Sequence, residues 1–183
     1  MTSEQRALLH NRLISIPIKY HGIEPTAVRI KEDQAFCESF FGSSKIDLNT
    51  ITVLFDQTIS CRSEIDLDYL LMLITHFNLT LSFDLQIAPL LIQPWHHFHD
   101  NIAEILEFDR NPQTANYLYL GATYTCENLD YESDYRGFSI KCLYALLKIG
   151  TPESLQYIKK LAASEHIMVS EYAKKILSEN KIV

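Results

Sequence analysis

The densest set of chemistry-bearing side chains in this sequence is His96, His97, His99 and Asp100. Imidazoles and carboxylates are zinc ligands, and on a helix His96, His99 and Asp100 share one face at i, i+3 and i+4. A zinc hydrolase needs more than a shared face. The sequence has no HExxH pair and no second His-Asp set to complete the coordination shell. With Trp95 and Phe98 between them, the imidazoles are expected to pack and hydrogen-bond at a helix start, and neither a metal nor a cofactor is expected.

The acidic pairs Glu104/Glu107 and Asp130/Glu132/Asp134 have the right chemistry for a general acid and base, yet nothing near them supplies a nucleophile. There is no GxSxG, no Gly-rich phosphate loop, and only five glycines in all. The chain reads as a non-enzyme. Its four cysteines, Cys37, Cys61, Cys126 and Cys142, form no CxxC pair and are expected to be reduced thiols, largely buried as small hydrophobes.

Charge is informative through its distribution. Eight acids and one base, Arg110, lie between Asp100 and Asp134, whereas the other residues carry fifteen acids and fifteen bases. That one stretch therefore holds the whole net charge of −7. Phosphate binding needs clustered Lys and Arg, so nucleic acid is excluded as a ligand and a basic protein partner is favoured. No apolar run approaches the roughly 20 residues of a membrane span. The first residues have no basic start leading into an apolar core, and a soluble, cytoplasmic protein is expected.

These groups must be positioned by helices. Ile105 to Pro112 lies over Ala145 to Pro152 at a spacing of 40 residues. In both copies an apolar helical run ends, a break follows, and Asn111 or Thr151 stands as N-cap before a Pro at the first helical position. Tyr117 over Tyr157, Leu118 over Ile158 and Ala122 over Ala162 continue the match. A period near forty is that of HEAT or armadillo units. Apolar spacing predicts further helices over 3–14, 32–41, from Asp47 to about Ile59, and from about Asp66 to Phe77 with Asn78 as a left-handed stop. Residues 14–30, broken by Pro17, Gly22 and Pro25, read as irregular. Leu79 to Ile87 alternates like a strand but also fits a helix capped by Ser82. The helix is preferred, because a lone strand would have no hydrogen-bonding partner. Residues 124–135 read as an ordered loop, and the helix after it is apolar on two faces, as for one packed between two neighbours. The expected fold is all-α: one domain over 1–183, a short HEAT/armadillo-like stack of helical hairpins that is clearest over 95–178, with a less regular N-terminal part over 1–47.

From Trp95 onward the chain resembles the HEAT-like immunity proteins encoded beside bacterial polymorphic toxins, including contact-dependent growth inhibition systems. The resemblance is carried by Trp95 to Ile102, Asp109-Arg110-Asn111-Pro112, Leu129-Asp130-Tyr131, and Arg136 to Leu146 running into Ile149-Gly150-Thr151-Pro152-Glu153. It implies a protein that binds one cognate toxin domain and silences it, many such toxins being nucleases with basic grooves. An acidic, tyrosine-bearing surface would supply charge steering and aromatic anchors. The residues expected to carry it are Glu104, Glu107, Asp109, Tyr124, Glu127, Asp130, Tyr131, Glu132, Asp134 and Tyr135. The alternative is a non-catalytic helical scaffold or adaptor that binds another basic protein.

Overall fold

The computed structural model describes residues 1–14, 27–125 and 132–182, with the backbone alone at 27 and 132–135. The described residues are helical with short connections, and no strand is found among them. The chain divides into two compact units, Met1–Leu79 and Thr80–Val183.

In the first unit, α1 (Ser3–Leu9) is capped by a reciprocal box between Thr2 and Gln5 and runs into a π-helical turn, His10–Ile14. Helix α2 (Ala27–Phe41) starts five residues before the predicted Glu32 and ends at Gly42, whose φ of 68° is open to glycine at no steric cost. Residues 15–26, most of the segment read as irregular, lie outside the described residues. Helix α3 (Leu48–Cys61) begins where Asp47 accepts the amide of Asn49, and buries Ile51, Leu54, Phe55 and Thr58 along one stripe. Ile59, one residue beyond Thr58, is only half-buried. Helix α4 (Glu64–His76) stops at Asn78, whose φ of 54° lets the Leu79 amide donate back to the Ile74 carbonyl at 2.7 Å.

The second unit opens with α5 (Thr80–Ile87), which resolves the strand-or-helix ambiguity in favour of helix, starting two residues before the expected cap. A 3₁₀ turn, Ala88–Ile92, leads to α6 (His99–Asp109), α7 (Ala115–Gly121), α8 (Glu132–Ile149), α9 (Pro152–Ala162) and α10 (Ile167–Glu179). Consecutive helices α7 to α10 pack on one another. So do alternate ones, α6 on α8, α7 on α9 and α8 on α10. This is the layered stacking of hairpins that the repeat predicts.

The caps at its joints follow the sequence. Asn111 Oδ1 accepts the Gln113 amide at 3.0 Å, and Thr151 Oγ1 accepts the Ser154 amide at 3.2 Å. The first Pro opens a single 3₁₀ turn, Pro112–Thr114, before α7, whereas Pro152 opens α9 directly. Helix α8 is the central element: Phe138, Cys142, Leu143, Ala145 and Leu146 are fully buried. Gly121 of α7 lies so close to it that a Cβ would stand 3.2 Å from the Phe138 ring and 3.3 Å from Cys142 Sγ. Helix α8 also corrects the predicted loop over 124–135, since its first turn already includes residues 132–135. Among the described residues no helix is long and apolar enough to cross a membrane.

Candidate functional site

Helix α6 sets Asp100, Glu104 and Glu107 along one stripe at i, i+4 and i+7, and α8 sets Lys141 and Lys148 beside it at the same seven-residue step. Lys141 Nζ donates to Asp100 and, at 2.9 Å, to Glu104. Lys148 Nζ reaches Glu107 at 2.6 Å. Burial pulls the Lys141 ammonium down, but hydrogen bonds and charge from Asp100 and Glu104 outweigh it and raise it. The stripe is thus a mixed-charge ladder of three acids and two lysines. A window read along the sequence cannot see this, because each lysine stands 37 to 41 residues from its acid. These pairs are solvent-accessible and stabilise the fold by at most about 1 kcal/mol each.

Of the residues expected to meet a partner, Glu104 and Glu107 are therefore brought together on this ladder. Asp109 is not: it faces α5, where it accepts the Thr80 hydroxyl at 2.7 Å. Tyr124 is half-buried, its ring 5.8 Å from that of His99. Glu127, Asp130 and Tyr131 lie outside the described residues, and Glu132, Asp134 and Tyr135 belong to the first turn of α8, where their side chains also lie outside. Of the neighbouring tyrosines, Tyr119 stacks on Tyr157 at 4.7 Å, with Lys160 within 5.9 Å of both rings. Tyr119 is thus committed within the stack rather than offered outward.

His96 and His99 are packed, as their neighbours predicted, whereas His97 is exposed. His96 precedes α6, so His96 and His99 do not share one helix face; their rings stack at 4.5 Å instead, both fully buried. His96 accepts the Phe98 amide at Nδ1, which leaves Nε2 to donate to the Leu90 carbonyl at 3.0 Å. His99 Nε2 donates to the Gln93 carbonyl at 2.9 Å. Burial holds the His99 imidazole below its ordinary value, so it is neutral in the fold. Both Nε2 atoms are spent on the turn between the 3₁₀ segment and α6. Among the described residues no three His, Cys, Asp or Glu side chains gather as a metal site.

The first unit holds a cluster that sequence reading missed. Arg12, placed by the π-helical turn, donates to Asp33 Oδ1 from Nε at 2.9 Å and from an Nη at 2.6 Å, and His76 Nε2 meets the same oxygen at 2.8 Å. Asp33, Cys37, Lys45 and Phe77 are among the residues lining an open groove of about 560 Å³. A Cys beside a His-Asp pair invites a nucleophilic reading, but burial and the Asp33 charge push the Cys37 thiol up, away from the thiolate that attack requires. Cys37 and Cys142 are buried free thiols, Cys61 is an exposed one, and Cys126 lies outside the described residues. The only sequence signal for the cluster is an Arg in the first helical segment, which has no distinguishing neighbour.

No family model matches this chain, and neither the curated proteins nor the solved structures compared with it match.

Proposed function

We propose that this chain is a non-catalytic binding protein of the immunity type, which neutralises a cognate bacterial toxin domain with a basic surface. The observation that carries this reading is Phe108, 81% exposed on α6 one helical turn after Glu104 and next to Glu107. A large aromatic ring held in water by a rigid helix, with carboxylates on the same face, has the composition of a binding hot spot. The carboxylates supply steering toward a basic surface, and the ring supplies contact area at little cost in ordering. A stack of helical hairpins presents such a face without rearranging. The resemblance over residues 95–153 points to the same class of partner, and a cytoplasmic location follows from it. A helical adaptor for another basic protein is the second reading, and the same Phe108 face would serve it.

The test is kinetic. A toxin domain found in a reading frame next to this chain's, made as a catalytically dead variant, should bind the intact protein, and Phe108→Ala should weaken that complex by about 2 kcal/mol, chiefly through faster dissociation. Absence of binding to that domain would transfer the reading to the adaptor. Binding that is indifferent to Phe108→Ala would remove α6 as the recognition face.

A further inference from the structure

Two carboxylates of the second unit have no ion-pair partner among the described residues. Asp84, on α5, is 2% exposed, and its Oδ2 has no hydrogen-bond partner. Asp109 Oδ2, on α6, is likewise buried and unpartnered. Thr80 and Asp84 share one face of α5 at i and i+4, α5 packs on α6, and the Thr80 hydroxyl donates to Asp109 Oδ1. Asp84 is therefore turned toward Asp109. Burial, and then the negative charge of Asp84, push the Asp109 carboxyl up, even though the Thr80 hydrogen bond works the other way. Among the described residues no Lys, Arg or His forms an ion pair with either. Buried carboxylates are found paired, hydrogen-bonded or on a cation, and two unanswered ones side by side demand a positive charge.

We propose that Asp84 and Asp109, with the Thr80 hydroxyl, hold one hard divalent cation of the magnesium or calcium class that ties α5 to α6. Three considerations select it. The donors are all oxygen, with no thiolate or imidazole among them, which suits hard cations and not zinc. Two carboxylates match a charge of two, and a cation that keeps several waters needs no more protein ligands than these. Both unpartnered oxygens are buried, so an ion can reach them where a partner's Lys or Arg side chain cannot. This proposal does not rest on the partner-binding reading of the Phe108 face.

The whole chain, stripped with a chelator and dialysed, is titrated with magnesium, calcium and manganese chlorides, with sodium chloride at equal ionic strength as control. At least one divalent ion should raise the thermal midpoint saturably and give binding heat at one ion per chain. Asp84→Asn should weaken that binding by more than about tenfold, as loss of even an outer-shell partner does. Asp109→Asn repeats the test should the first variant fail to fold. The proposal is overturned if wild-type protein shows neither the midpoint rise nor binding heat with any of the three ions. It is equally overturned if both Asn variants keep wild-type affinity.

Discussion

Arg110 and Gly150 stand 40 residues apart and adopt the same left-handed backbone, with φ of 57° and 67°. Each ends a helix, and each donates its amide back four residues, to Leu106 at 3.1 Å and to Leu146 at 3.3 Å. Only one of them is a glycine. Left-handed geometry crowds the Cβ of any other residue, so Arg110→Gly should stabilise the protein by about 0.5 to 1 kcal/mol in urea unfolding. Gly150→Ala should destabilise it by about 1 to 2 kcal/mol through φ alone. An added Cβ there would meet nothing closer than the Leu147 carbonyl oxygen at 3.5 Å. If both changes are neutral, the helix ends relax and the joints are not fixed points of the repeat.

The same translation relates Leu106 to Leu146, both fully buried. Leu146→Ala and Leu106→Ala should each cost about 2 to 5 kcal/mol, because a stacked interior closes only partly around the missing atoms. A cost below about 1 kcal/mol at either site would show that helix to be loosely held.

Acid should weaken the fold through its buried imidazoles. Burial lowers His76 and His99 from 6.5, against the hydrogen bonds to Asp33 and the Gln93 carbonyl that pull the other way. Below pH 6.5 the unfolded chain therefore takes up protons that the native rings refuse, and stability declines as pH falls from there, while above it these two rings contribute no slope. His99→Gln keeps an N–H for Gln93 and should flatten that decline. The comparison is made against wild type at each pH, which cancels the carboxylates common to both. An unchanged slope would mean that His99 titrates alike in both states.

How much of this was legible in the sequence depends on how far apart the causal residues lie. Asn111-Pro112 and Thr151-Pro152 act on their own helix ends within a few residues, so the joints of the stack could be read directly. The structure extends that repeat to Thr114 and Ser154, buried residues whose hydroxyls donate to the Asn111 and Thr151 carbonyls at 2.8 and 3.0 Å. That correspondence was hidden because two different residue types make the same bond. Arg110 was hidden for the opposite reason, being a poor residue for its conformation. The acidic stretch overstated the local charge, because a window along the chain counts Asp100, Glu104 and Glu107 without the lysines that α8 lays against them. The Arg12–Asp33–His76 cluster joins three segments and depends on a π-helical turn that no periodicity announces.

The lysines themselves supply the last prediction. If a basic partner is steered by α6, Lys141 and Lys148 oppose it, since each neutralises carboxylates that would otherwise attract the partner. Replacing both by Met keeps their apolar stems on the stack and unmasks Asp100, Glu104 and Glu107. The double variant should associate faster with a basic toxin domain that binds this face at low salt, with a steeper loss of rate as salt rises. Its stability should fall by at most about 1 kcal/mol per lost exposed pair, so the fold survives the change. Glu104→Gln with Glu107→Gln should do the reverse, slowing association and flattening its salt dependence. Rates that ignore both sets of changes across a range of salt would mean that the partner approaches elsewhere, and the steering charge would then have to come from acids other than those of α6.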